Sequence, residues 1–226
     1  MKSIIRDLTP PLLWRHASRI VARFNWAPPA GLGFERSSEW YDTGYAAVKS
    51  YSKHYADSPY YPLWCVMLDR LAPAKVRCLF DVGCGPGQFA AFLRDQGLPR
   101  YVGLDFSDVC IRMAKSACEQ FEFVCADAFK TDLFETLDYD VLVATEFLEH
   151  VENDLAIINR IRPGTRFYGS VPSFPHAGHV RYFSSSEEVM TRYAEGFDNF
   201  RVDEFLLGSK GISLFLIQGI RREAAI

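Results

Sequence analysis

A chain of 226 residues has room for one domain, or for one domain with an appendage. Its hydrophobic fraction of 49% supports a sizeable core, and its formal net charge of −3 gives no broad basic field of the kind nucleic-acid binding draws on. The six cysteines, at 65, 78, 84, 110, 118 and 125, contain no C-x-x-C pair, so they read as small buried apolar residues in a reducing compartment rather than as zinc ligands.

Residues 1–57 precede the first sheet signal and read as an N-terminal helical appendage or lid, and 58–226 read as the main domain. Within the appendage, Ile4, Ile5, Leu8, Leu12 and Leu13 form one apolar side, with positive charge from Lys2, Arg6, Arg15, Arg19 and Arg23. Such a segment could associate weakly with an anionic membrane surface. Pro10 and Pro11 interrupt the helix, which favours packing on the domain or on a second subunit. Arg6, Asp7 and the two prolines also break any signal-peptide core, and no stretch is long and apolar enough to span a bilayer, so a cytoplasmic protein is expected. A loop at Ala27–Gly33 follows. Trp40–Tyr61 is dense in tyrosine, and the spacing of Tyr41, Tyr45, Val48, Ser52 and Tyr55 predicts a helix through the stretch. Pro62–Leu71 reads as the helix that enters the sheet.

The sheet begins at Leu79-Phe80-Asp81-Val82. A turn with Gly83, Gly85 and Gly87 at alternate positions follows, then a helix over Gln88–Gln96. Glycines serve where backbone turns with positive φ or where a ligand lies too close for a Cβ. The spacing is neither that of the dinucleotide fingerprint nor that of the phosphate loop, so the turn is not built for a pyrophosphate. A second strand, Tyr101–Leu104, ends in Asp105, about twenty residues past the glycines, where a carboxylate can take both hydroxyls of a ribose. Helix Asp108–Glu119 leads to a third strand, Phe121–Cys125, ending in Ala126-Asp127-Ala128. A fourth, Tyr139–Ala144, runs into Thr145-Glu146-Phe147-Leu148-Glu149-His150. Four consecutive strands thus end in polar residues at their carboxyl tips, the edge at which open α/β sheets bind ligands. Helix Asn153–Arg160 and a fifth strand, Arg166–Val171, follow. Ser184–Glu188 then offers capping hydroxyls and first-turn acids for a helix over Ser185–Glu195. Strands near Phe200–Leu206 and Ile212–Ile217, joined at Gly208–Gly211, form a hairpin.

The glycine turn resembles motif I of the class I S-adenosylmethionine-dependent methyltransferases, and the resemblance covers about residues 60–220. It implies an α/β fold: a doubly wound, Rossmann-like, seven-stranded sheet, mostly parallel, with a C-terminal antiparallel hairpin and helices on both faces. It also implies a cofactor site. Gly83, Cys84, Gly85 and Gly87 would pass under the methionine part, with Asp81 near its ammonium group. Asp105 and Phe106 would flank the ribose, Asp127 and Ala128 would meet the adenine, and Glu146 would close the edge. In such enzymes the segment before motif I lids the cofactor and lines the acceptor pocket. That role falls here to Tyr41, Tyr45, Tyr51, His54 and Tyr55, against the plainer reading of a tyrosine-rich helix packed on the domain. The appendage also loosely resembles that of methyltransferases acting on surface-glycan precursors.

A second cluster joins Glu146-x-x-Glu149-His150 to His176 and His179 about thirty residues on. Both segments follow strands and open onto the same edge. Their oxygen and nitrogen ligands suit Mg²⁺, Mn²⁺ or Zn²⁺. The E-x-x-E-H run resembles that of the ubiquinone-pathway O-methyltransferases and is similar to that of the 2′-O-methyltransferases of small-RNA 3′ ends. There, two glutamates and two histidines hold a metal across vicinal hydroxyls, which implies Glu146, Glu149, His150 and His179 as ligands. The alternative is a metal-free site in which Glu149 and His150 cap a helix and bond loop backbone, with His150, His176 or His179 as general base. The expected reaction is methyl transfer from S-adenosylmethionine, yielding S-adenosylhomocysteine, to a hydroxyl oxygen (nitrogen second) of a small acceptor. That acceptor is a sugar or glycan intermediate, a phenol or catechol, or a secondary metabolite. An RNA 2′-O-methyltransferase and a non-catalytic cofactor-binding partner subunit are the competing readings.

Overall fold

The computed structural model describes residues 33–72, 75–207 and 212–223, so the amphipathic segment Met1–Phe24, most of the Ala27–Gly33 loop and the hairpin loop Gly208–Gly211 lie outside the described residues. Seven strands form one sheet in the order β3-β2-β1-β4-β5-β7-β6. They are β1 (Leu79–Val82), β2 (Tyr101–Asp105), β3 (Glu122–Cys125), β4 (Val141–Thr145), β5 (Arg166–Pro172), β6 (Phe197–Leu206) and β7 (Ser213–Arg221). β1 to β5 pair in parallel, and β7 runs antiparallel between β5 and β6. The central strands are buried on both faces, which is why they read as apolar runs, interrupted in β1 by Asp81.

Helices cover the two faces, and alternate side chains of each strand feed two separate cores. In β4, Leu142 and Ala144 join Phe80, Phe134, Phe167, Phe197 and Phe215, over which α5 (Leu133–Thr136), α6 (Asp154–Arg160) and α7 (Ser186–Tyr193) pack. Val141 and Val143 join Leu79, Tyr101 and Leu216 on the other face, under α2 (Tyr61–Leu71), α3 (Gln88–Asp95) and α4 (Asp108–Ala117). Each fully buried Leu or Phe contributes about 1.5–3 kcal/mol. Ser185 caps α7 by accepting from the Glu188 N–H, as its hydroxyl-rich start implies.

Three differences from the sequence reading have local causes. The helix expected from Tyr41 through Tyr55 stops early: α1 is Ser38–Ala47, Val48 is extended at φ −105°, and two short 3₁₀ turns follow at Lys49–Ser52 and Tyr55–Asp57. α1 buries no residue, so no apolar stripe carries the helical period onward. β6 begins three residues earlier than its alternation suggests, because a register shift between Asp198 and Arg201, with Asn199 at φ 51°, interrupts the period of two. The short helix α5 has too few residues to show a period. No helix among the described residues is long and apolar enough to cross a membrane.

Candidate active site

The order of the sheet reverses between β1 and β4, and the site opens at the carboxyl tips of these strands, where a crevice forms by topology alone. At the β1 tip, Asp81 is buried. The Tyr101 hydroxyl donates to its Oδ2 at 2.5 Å, while Oδ1 has no hydrogen-bond partner among the described residues. Burial pushes the Asp81 carboxyl up to about 7. The turn that follows needs its glycines: Gly83 has φ 78° and a Cβ there would lie 2.6 Å from the Phe147 ring, while Gly87 has φ 82° and a Cβ there would lie 2.7 Å from Ala114 Cα.

At the β2 tip, Asp105 accepts from the Gly85 N–H (3.0 Å) and the Ser107 N–H (2.9 Å), which aim the carboxylate while leaving it further acceptor capacity. Burial raises its pKa to about 6. A cavity of about 300 Å³ lies in front of it, lined by Gly83, Asp105, Phe106, Asp127, Ala128 and Glu146, with Tyr41, Tyr45, Phe147 and His150. Asp81, in β1, and Cys84, Gly85 and Gly87, in the turn that follows, do not line that cavity. Asp127 accepts from the Phe129 N–H at 2.8 Å and pairs with Lys130.

Beyond β4, Glu146 stands at φ 51°, a backbone conformation that costs energy in a non-glycine residue and needs outside support. Ser170 supplies it: the Glu146 N–H donates to the Ser170 carbonyl and Oγ, both at 3.1 Å, and the Ser170 hydroxyl donates to Glu146 Oε1 at 2.9 Å. Burial pushes the Glu146 carboxyl up to about 7.

Glu149 is fully buried and neither carboxyl oxygen has a hydrogen-bond partner among the described residues. Burial, and then the charge of Glu146, drive its pKa well up. His150 Nε2 faces Glu149 Oε1 at 3.6 Å, and His150 Nδ1 lies 2.8 Å from both the Gly178 carbonyl and the Tyr41 hydroxyl. His179 Nδ1 lies 3.1 Å from the Phe174 carbonyl. Burial lowers His150 to about 4 and His179 to about 3, so both imidazoles are neutral near pH 7, and it lowers His176 as well. One ligand atom from each of Glu149, His150 and His179 falls within 4.8 Å of the others. With Glu149 ionised, one carboxylate oxygen and one lone pair from each neutral imidazole could converge on a cation, three protein ligands with an open position.

A second cavity of about 290 Å³ adjoins the first, walled by Trp40, Tyr41, Tyr45, Val48, Tyr51, Tyr60 and Phe174 and floored by Glu146, His150, His176 and His179. Two expected positions fall elsewhere. His54 is exposed and its ring accepts from the Ala56 N–H, and the Tyr55 hydroxyl donates to Asp95. Both line a separate groove with Arg94 and Arg112, because the chain turns after Ala47 and the spacing from Tyr41 does not continue. Glu146, grouped in the sequence with the metal ligands, is engaged by Ser170 and stands outside the three-residue set.

Several residues at the site carried no sequence signal. Asp42 accepts from the Ser107 hydroxyl (2.5 Å) and the Val109 N–H (3.3 Å), Arg36 donates to the Ala177 carbonyl (3.0 Å), and Glu35 accepts from the Glu152 N–H (3.0 Å). Tyr60 and Phe147 sit inside stretches that did, the tyrosine-dense segment and the E-x-x-E run.

The residues fit S-adenosylmethionine. A buried acid with an orphaned oxygen meets an ammonium group well, Asp105 can accept from ribose hydroxyls, and the surrounding carboxylates favour a sulfonium. Fold and site together define the class, the Rossmann-like methyltransferase fold. Comparison with known proteins agrees. Residues 80–165 match the family model of a methyltransferase domain. An uncharacterised methyltransferase of Mycobacterium tuberculosis is 28% identical over 97 residues, 42% of this chain and 48% of that protein. The chain thus spans about half the length of the curated relatives it matches. Among solved structures, 1,6-didemethyltoxoflavin-N1-methyltransferase of Burkholderia thailandensis, with bound 1,6-didemethyltoxoflavin and S-adenosylhomocysteine, is similar with a TM-score of 0.58 at 19% identity, covering 74% of this chain and 79% of that one. The [4+2]-cyclase SpnF is similar with a TM-score of 0.64 at 14% identity, covering 86% of this chain and all (100%) of that one. At such identities the likeness carries the fold. Residues 80–165 thus resemble a methyltransferase domain, and S-adenosylmethionine is the cofactor the site fits.

Proposed function

We propose that this protein transfers a methyl group from S-adenosylmethionine to an oxygen of a small-molecule acceptor held in the tyrosine-walled cavity. The observation that carries this reading is the shared wall. Tyr41, Tyr45, Glu146 and His150 line both cavities, so a donor methyl and an acceptor atom can meet across them. The bound cofactor supplies an electrophilic methyl and its own leaving group. Asp105 and Asp127 hold the nucleoside end, Asp81 meets the amino group, and the segment before the sheet acts as a lid whose aromatic rings exclude water. The acceptor cavity is of the size of small-ligand sites, which favours a compact acceptor, a phenol or a single sugar unit, over RNA. The toxoflavin relative, named for a small heterocyclic substrate, keeps nitrogen as the second choice of acceptor atom.

Glu149, with two buried oxygens and no partner, favours a cation at the cluster. We infer that Glu149, His150 and His179 hold a divalent metal, which when bound would lower the pKa of an acceptor hydroxyl. Without it, the proton must go to a carboxylate, because the depressed basicity of the three imidazoles makes them weak bases near neutral pH.

The test is release of S-adenosylhomocysteine from S-adenosylmethionine across a panel of phenols, catechols, sugars, amines and short RNAs. Turnover with one small hydroxyl compound is the expected outcome. Cofactor binding without turnover on any class would leave a non-catalytic partner subunit, or chemistry other than transfer, as the cyclase with this fold permits. Dialysis against chelator should abolish turnover, with Mg²⁺, Mn²⁺ or Zn²⁺ restoring it. Unchanged turnover would remove the metal from the reading.

A further inference from the structure

We propose that Tyr41 is a positioning residue for the reacting cluster: its phenol oxygen and the Gly178 carbonyl together hold the Nδ1–H of His150, which turns the Nε2 lone pair toward Glu149 and His179. The proposal rests on the reading that these three residues form the reacting cluster. His150 Nδ1 lies 2.8 Å from the Gly178 carbonyl oxygen and 2.8 Å from the Tyr41 oxygen. A carbonyl only accepts, so the nitrogen facing it carries the hydrogen. The opposite tautomer would set a nitrogen lone pair against the carbonyl lone pairs at that separation. With Nδ1 protonated, Nε2 is the free lone pair, 3.6 Å from Glu149 Oε1. The Tyr41 oxygen then accepts from the same N–H, and its own proton is free for a ligand in either cavity. Burial, and then the charges of Glu149 and Asp105, keep that phenol protonated.

Although α1 buries no residue completely, Tyr41 is held by ring contacts with Trp40, Tyr45 and Phe106 and by polar ties on either side of it. Asp42 is tied to Ser107 and Val109 beside the β2 tip, and Arg36 is tied to Ala177 in the loop that carries His176 and His179. Gly178 supplies the space. A Cβ there would lie 3.3 Å from His150 Nδ1, 3.3 Å from the Tyr41 oxygen and 3.4 Å from the Trp40 ring, tighter than or at the edge of ordinary contact. Two elements more than a hundred residues apart, 41 and 150, thus complete one imidazole.

The experiment is Tyr41→Phe in the full chain, which keeps the ring and removes the oxygen. Long-range ¹H–¹⁵N NMR should show His150 as the Nδ1–H tautomer in both proteins, since the Gly178 carbonyl remains, with the Nδ1 and Hδ1 resonances displaced in the variant by loss of the second acceptor; a wild-type His150 in the Nε2–H form would overturn the proposal. Titration with Mn²⁺ should show about 10–100-fold weaker binding in the variant, the usual cost of removing the partner that orients a ligating histidine. The Gly178→Ala variant should move both readouts in the same direction by pressing Tyr41 away. An unchanged His150 spectrum together with unchanged Mn²⁺ affinity in folded Tyr41→Phe overturns the proposal. Should the wild type bind no Mn²⁺, the metal reading fails by itself and the His150 spectrum alone decides: displaced Nδ1 and Hδ1 resonances in Tyr41→Phe support the role of Tyr41, and unchanged ones overturn it. Should Tyr41→Phe not fold, Gly178→Ala is read by the same two criteria.

Discussion

Asp81 and Asp105 occupy neighbouring strand tips and are both buried, but they are satisfied differently. Asp105 accepts two backbone N–H groups, whereas Asp81 has one tyrosine hydroxyl and one bare oxygen. Burial lifts both carboxyls from 3.8, Asp81 to about 7 and Asp105 to about 6. A folded-state pKa above the unfolded one means that the native state binds the extra proton. That contribution to stability is complete below the unfolded value and is lost as pH rises toward about 7. Glu146 and Glu149, raised by the same burial, act in that direction, and the depressed His150, His176 and His179 act against it; with four raised acids outweighing the imidazoles, the cofactor-free protein should melt higher at about pH 6 than at about pH 8. S-adenosylhomocysteine should narrow the gap, since its ammonium group favours ionised Asp81. Scanning calorimetry at the two pH values checks this, and a melting point that rises with pH contradicts the assigned sign. For Asp105→Ala, the loss of charged hydrogen bonds to the ribose should weaken cofactor binding by about 1–3 kcal/mol. Titration calorimetry giving wild-type affinity in a folded variant would remove Asp105 from the cofactor site.

Between elements, one buried acid fixes the loop that carries Glu149 and His150. Asp154, the first residue of α6, accepts from Arg192 (2.8 and 2.6 Å) and from the Tyr193 hydroxyl (2.7 Å), and pairs with Arg181 at 3.2 Å. Arg181 in turn donates to the carbonyls of Leu148, Val151 and Glu152. Asp154→Ala would strand two arginines that are only partly exposed, and it should cost about 3 kcal/mol, the low end for a broken buried pair. Denaturant unfolding measures that loss, and a loss below about 1 kcal/mol would reduce the network to an ordinary surface pair. α1 is the opposite case. It buries no side chain and is held at its edges by hydrogen bonds, so its local opening is cheap. Limited proteolysis within residues 36–58 should slow when S-adenosylhomocysteine fills the cavity beneath it. Equal cleavage in both states would make the segment a packed helix with no lid function.

At the scale of the molecule, the reversal of strand order between β1 and β4 places both cavities at one edge, while two cores on opposite faces hold that edge rigid. Leu142→Ala, in the middle of β4, should cost about 2–5 kcal/mol with its cavity left unfilled. Urea unfolding checks that figure, and a loss under about 1 kcal/mol would mean that the face can repack. The five strands, the polar tips of the first four and the closing hairpin were legible in the amino-acid sequence, because apolar runs, glycine turns and caps act through neighbours a few residues apart, while the parallel order followed from the family resemblance. So was the identity of the acids at the β1, β2 and β3 tips, which topology then carries to one edge whatever the side chains do. The break of the tyrosine segment after Ala47, which sends His54 and Tyr55 to another surface, was not legible, since a period seen in sequence persists only where a core receives it. The bond from Ser170 that holds Glu146 apart from the histidines, and the reach of Tyr41 to His150, were decided by the tertiary structure alone. Those contacts join residues 24 and 109 positions apart, and no local propensity encodes which distant side chains the packed sheet edge brings within hydrogen-bonding distance.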